Sequence, residues 1–224
     1  MNTLEVNKAS LTSARAAIAA SAVVLLLLVG LHVLSPEFDP AWRMVSEYAN
    51  GQYSWVLSVL FVSWGISSWA LAYALWPQVQ TTGGRISLWF LVAAGIGEAM
   101  AAVFDINHSL HGLSAMIGIP SLPIAAMLIS VSLVRASEWT SGKKALLWTA
   151  NLTWVSIVLM AIAFAVMIAT FTQSGAEMPT NAEAVTTLPE GVIGLVGWAN
   201  RFLIVTYCTW VITAARLTVN LGKK

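Results

Sequence analysis

Six long apolar runs leave this chain essentially one way to fold. They lie at roughly 16–34, 53–76, 86–104, 112–134, 145–171 and 192–214. About 20 apolar residues suffice for a helix to cross a hydrocarbon core. The bilayer offers backbone polar groups no partner, so a spanning segment must be a helix or part of a closed barrel. Barrel strands alternate apolar and polar residues, whereas these runs are continuously apolar. The sequence therefore predicts an all-α polytopic membrane protein, a bundle of six transmembrane helices forming a single membrane domain over residues 1–224. Composition agrees: 58% of the residues are hydrophobic and 9% charged, against about 25% charged in soluble domains. A formal net charge of +1 argues against a nucleic-acid partner, and the single cysteine, Cys208, excludes an intramolecular disulfide. The first run reads as an uncleaved span, because Leu31–Ser35 offers no small-x-small cleavage site.

Loop charge sets the expected orientation. Lys8, Arg15, Arg85, Arg135, Lys143, Lys144, Arg216, Lys223 and Lys224 fall on one side, and Arg43 alone falls in a loop on the other. Both termini are therefore expected in the cytoplasm, and the expected location is the plasma (inner) membrane. Two longer loops lie outside. Thr172–Glu190 is polar, contains Pro179 and Pro189, and reads as a mobile loop. Ser35–Gln52 reads as ordered, with a short interfacial helix over Pro40–Asn50. Asp39 suits its N-cap, Pro40 its first turn and Gly51 its stop. Arg43 and Glu47, four apart, are placed to pair on it.

Charged residues within spans are costly and tend to be functional. Glu98 in the third span and Arg201 in the sixth lie at similar depths, which predicts a salt bridge between them. Gly194, Gly197 and Arg201 share one face of the sixth helix, a surface that lets a neighbouring helix approach closely. At the outer end of spans three and four, Asp105, His108 and His111 recur every third residue. On a helix two of them could share a metal ion such as zinc or iron; loop capping is the plainer reading. No cofactor is otherwise called for. His32, near the outer end of the first span, reads as a hydrogen-bonded core residue. With His108 or His111 it could ligate haem only at the outer edge. Pro120 and Pro123 kink or loosen the fourth span. No nucleotide-binding, nucleophile-elbow or zincin motif is present.

Several of these residues also carry a family resemblance. The run Leu34-Ser-Pro-Glu-Phe-Asp39-Pro-Ala-Trp-Arg-Met-Val-Ser46-Glu47-Tyr-Ala-Asn-Gly51 is followed by Phe104-Asp105, His111-Gly112 and an arginine early in the last span. This order resembles the bacterial and archaeal membrane family catalogued as domain of unknown function 998, over nearly the whole chain. The resemblance implies a multi-pass fold and marks Ser46, Glu47, Gly51, Asp105, His111 and Arg201 as matching positions. The chain departs from the pattern twice: no proline precedes Asp105, and Asn200 stands where an acid often precedes the arginine.

Taken together, the residues point to an outward-facing polar pocket. Glu47, Asp105 and His111 are its candidate catalytic groups, and Ser46, His32, Glu98 and Arg201 its candidate binding groups. At the boundary of the outer leaflet it suits a lipid or isoprenoid-like molecule, with the headgroup on the polar residues and the chain among the helices. A structural or assembly subunit is the rival reading. A transporter fits less well, because the inner halves of the spans hold little that is polar beyond Ser63, Ser67, Ser68 and Ser130.

Overall fold

The computed structural model describes residues 7–176 and 187–223. Six long helices carry the fold: α1 (Lys8–Leu34), α2 (Ser54–Leu75), α3 (Thr82–Val103), α4 (His111–Leu133), α5 (Lys143–Gln173) and α6 (Val196–Leu221). Each is long and apolar enough to cross a membrane. Large apolar side chains such as Leu26, Val33, Val103 and Met116 stand exposed around the bundle, where only hydrocarbon makes them inexpensive. The chain is a multi-pass membrane protein.

Each helix packs on its neighbours in sequence, and α6 returns to α1, closing a ring in the order α1 to α6. Helix α2 also reaches α6 across the middle. Six spans put both termini at one end of the bundle; the opposite end is called the far end below. The α1 helix starts well before the apolar run, because Asn7 caps it: Asn7 Oδ1 accepts the Ser10 amide at 2.8 Å. Helix α5, at 31 residues, outlasts a hydrocarbon core about 30 Å thick. The loop expected over Thr172–Glu190 falls mostly outside the described residues.

Close packing of α3 on α4 depends on Gly97. A Cβ there would fall 2.6 Å from Gly118 Cα and 2.7 Å from Ser114 O, so only glycine permits the approach. On α4, Pro123 has no amide hydrogen to give the carbonyl four residues back, that of Ile119. The phenol of Tyr207 on α6 donates to Ile119 O at 2.6 Å instead. A helix weakened by two prolines is thus tied to α6. This compensation predicts a coupling. Tyr207→Phe should destabilise the protein by about 1–3 kcal/mol, and by clearly less in a Pro123→Ala background, where the alanine amide supplies the missing donor. Unfolding of the four proteins of this double-mutant cycle checks it; strictly additive effects would show that the two positions do not share the carbonyl.

The first far-end loop is ordered but not as the single helix expected over Pro40–Asn50. Asp39 turns the chain instead, with Oδ1 accepting the Ala41 amide at 2.9 Å and its carbonyl accepting the Arg43 amide at 3.0 Å. Met44 is then extended, and a 3₁₀ helix follows over Val45–Asn50. Glu47 forces the break: its carboxylate reaches back to the Met44 amide at 2.7 Å, capping the second piece from within. Gly51 ends that piece as expected.

Candidate functional site

The loop between α1 and α2 is fastened to the bundle by Arg201. This buried guanidinium donates from Nε to His32 Nε2 at 2.7 Å. One terminal nitrogen reaches Arg43 O at 2.7 Å and Gly197 O at 3.0 Å, and the other the Tyr48 hydroxyl at 3.0 Å. His32 in turn bonds through Nδ1 to Leu28 O at 2.7 Å. A carbonyl only accepts and a guanidinium only donates, so these two bonds fix the neutral His32 tautomer with its proton on Nδ1. Gly197 lets the loop lie directly on the start of α6, where a Cβ would sit 2.7 Å from Arg43 O. The Gly197 amide donates to Ala41 O at 2.9 Å. What nests on the small residues before Arg201 is therefore this loop, not the neighbouring helix expected there.

The expected Glu98–Arg201 salt bridge does not form. Among the described residues the one ion pair is Arg43 with Glu47, at 2.5 Å. Helix α3 stands across the ring from α6, and similar depth on opposite walls brings no contact. Glu98 instead accepts the Ser68 hydroxyl of α2 on Oε2 at 2.8 Å, while its buried Oε1 has no partner among the described residues.

Nor is the segment from Asp105 to Leu110 helical; α4 begins only at His111. Asp105 Oδ1 accepts the Asn107 amide at 2.9 Å, and successive turns bond His108 N to Asp105 O and His111 N to His108 O, both at 2.9 Å. His108 lies against the Phe104 ring, 4.7 Å between centroids, with Nδ1 accepting the Leu110 amide. The helical spacing behind a shared metal ion is thus absent. Among the described residues no three His, Cys, Asp or Glu side chains gather as metal ligands.

A different group does converge. A cavity of about 220 Å³ lies between α2, α3, α4, α5, α6 and the first loop. Of the residues singled out in the sequence, Ser46, Glu98 and His111 border it; Glu47, Asp105, His108, His32 and Arg201 do not. Glu47 is spent on Arg43 and Met44, and Asp105 on its own turn. The cavity wall is mainly apolar and includes Phe61, Ala115 and Met160. Four further polar residues join it, Trp64, Ser114, Asn200 and Tyr207; of these the sequence had singled out Asn200, as a departure from the family pattern. Asn200 Oδ1 accepts the Val45 amide at 2.9 Å and its amide group meets Met160 sulfur at 3.7 Å, so it holds the loop over the cavity. Trp64 stacks parallel to Phe61 and edge-on to Tyr207, yet its buried indole N–H has no acceptor among the described residues. His111 donates from Nδ1 to Phe104 O at 2.9 Å, which leaves Nε2 as an acceptor when the ring is neutral. The sequence held one faint sign of Tyr207, the proline four residues past Ile119 that leaves a carbonyl to satisfy. No local sign marked Trp64 apart from the other tryptophans.

The residues around the cavity thus supply acceptors on Glu98 and His111, a donor on Trp64 and a mainly apolar remainder. A family model described as Protein of unknown function (DUF998) matches residues 18–217. No curated protein and no solved structure matches the chain.

Proposed function

Because the chain belongs to the family of proteins of unknown function DUF998, we propose its function from geometry alone: the cavity binds a lipid or isoprenoid-like molecule taken from the bilayer. The observation that carries this reading is a mainly apolar space within a membrane-embedded bundle, bordered by a buried carboxyl with one oxygen unpartnered. Small-molecule sites are built this way, from apolar walls with a few placed polar groups. The conspicuous polar network of Arg201, His32, Arg43, Glu47 and Tyr48 is spent on holding the first loop to the bundle, so it serves as architecture for the site.

Ala115, half-buried on α4, borders the cavity, and a phenyl ring there would take up much of 220 Å³. In lipid nanodiscs a photoreactive alkyl probe should label cavity-bordering peptides of α4 and α6. Ala115→Phe should remove most of that labelling while leaving labelling of the exposed α1 face around Leu26 and Val33 unchanged. Equal loss at both places, or no cavity labelling in the parent protein, would overturn the reading.

The bias of lysine and arginine towards the end that carries the termini supports a plasma-membrane protein with both termini in the cytoplasm and the cavity in the outer half. A reporter fused to the C-terminus should accordingly act as cytoplasmic. Activity of that reporter on the opposite side of the membrane would invert the topology and place the cavity in the inner leaflet.

A further inference from the structure

Two residues of the cavity wall, Glu98 and Trp64, each carry a buried polar atom without a partner among the described residues, and these specify the head of its occupant; the cavity's size directs the tail. Glu98 is 5% exposed, with Oε2 taken by Ser68 and Oε1 unpartnered; Trp64 is 6% exposed, with its N–H unpartnered. Buried groups in this state are uncommon and ask for an occupant. A hydroxyl can answer either, giving its hydrogen to the carboxyl oxygen or accepting the indole N–H. A phosphate does not suit the site. Among the described residues no Lys or Arg borders the cavity, and four of the five N–H groups of Arg201 are committed to His32, Arg43, Gly197 and Tyr48. An anion would find no Lys or Arg there, only the His111 imidazole whose Nδ1 is already given to Phe104 O, and would enter at a high desolvation cost.

At about 220 Å³ the cavity is smaller than the roughly 300–1,000 Å³ of a site that encloses a whole ligand. The tail must therefore leave it. Helix α5 shows where. One stripe faces the bundle along its length, at the spacing of a helix face. Thr153 and Ser156 on it are buried, but Met160, Ala163, Met167 and Thr170 towards the far end are only half-buried. That half of α5 bonds towards α6, through Met160 to Asn200 and through Thr170 to the Ile193 amide. Among the described residues no hydrogen bond links α5 to α4. The wall between α4 and α5 is thus loosest beside the cavity.

Building on the lipid-site reading, we infer that the cavity takes the hydroxyl head of an uncharged long-chain alcohol, a class that includes isoprenoid alcohols and acylglycerols, and that the tail passes between α4 and α5 into the hydrocarbon. The test uses the full chain in nanodiscs and an alkanol probe with a photoreactive group at mid-chain, challenged with dodecanol, dodecylamine or dodecyl phosphate. Dodecanol should displace the probe at a concentration about tenfold lower than dodecyl phosphate, the factor that one hydrogen-bond-sized difference gives. The probe should label Met160, Ala163 or Met167. Trp64→Phe, which keeps the ring and loses only the N–H, should weaken dodecanol severalfold and leave dodecylamine unchanged. Equal or better competition by the phosphate or the amine would overturn the head assignment while leaving the lipid site standing. Tail labelling at Met44–Ser46 in place of α5 would overturn the exit. Absence of any displaceable labelling would overturn this inference and the lipid site together.

Discussion

Arg201→Leu is expected to destabilise the protein by about 3–5 kcal/mol, the usual consequence of removing one member of a buried charged network. It strands the acceptors on His32, Arg43 and Tyr48, each of which costs about 1–3 kcal/mol when left buried without a donor. The first loop should then come loose from α1 and α6, and accumulation in the membrane should fall with it. Arg201→Lys should recover little, because a single ammonium cannot replace a guanidinium that reaches four partners from three nitrogens. The informative comparison is Glu98→Leu combined with Arg201→Leu. The two residues share no ion pair, so Glu98→Leu should change stability by the same amount in the Arg201→Leu background as in the parent. Denaturation of all four proteins in detergent measures this; a Glu98→Leu effect that depends on residue 201 would mean that the charges are coupled after all.

The second large effect is expected at Gly97. A valine there must place its Cβ against the backbone of α4, within 2.6 Å of Gly118 Cα, and backbone cannot swing aside as a side-chain tip can. Overpacking of this kind typically costs about 1–3 kcal/mol, with the upper end expected because α3 and α4 must separate along their shared face. Their separation would also distort the cavity, since Gly97, Glu98 and Gly118 all border it. Gly30 is the matched control. A Cβ there meets nothing within 4 Å, so Gly30→Ala should be neutral or gain about 0.5–1 kcal/mol from reduced backbone freedom. Thermal unfolding of the two variants separates them. A Gly97→Val protein as stable as the parent would show that the α3–α4 contact yields easily.

The spans were legible because hydrocarbon imposes a length and a composition that no other environment demands. Depth could be read in the same way, but not direction around the bundle. That is why Glu98 and Arg201 looked like partners: equal depth says nothing about which helices face one another, and the ring order places them on opposite walls. The Arg43–Glu47 pair formed even though the helix thought to carry it did not, since a carboxylate that caps Met44 also lands beside Arg43. Spacing misled at Asp105, His108 and His111. A three-residue repeat is as much a property of consecutive turns as of a helix, and Asp105 is a residue that favours the turn. The cavity was partly visible. Ser46, Glu98 and His111 stood out as polar or charged residues at or near the membrane, whereas Trp64 and Tyr207 are ordinary among apolar neighbours until packing shows which polar atoms are satisfied. Tyr207 is, by the carbonyl that Pro123 leaves open; Trp64 is not.

The central claim is that the space beside Glu98 belongs to a lipid. The most direct measurement is an experimental structure of the full chain in nanodiscs made with lipid extract. Elongated density should start within hydrogen-bond distance of Glu98 or Trp64, run past Met160 and continue between α4 and α5. A cavity holding only ordered water, with α4 and α5 closed against each other along their full length, would contradict it.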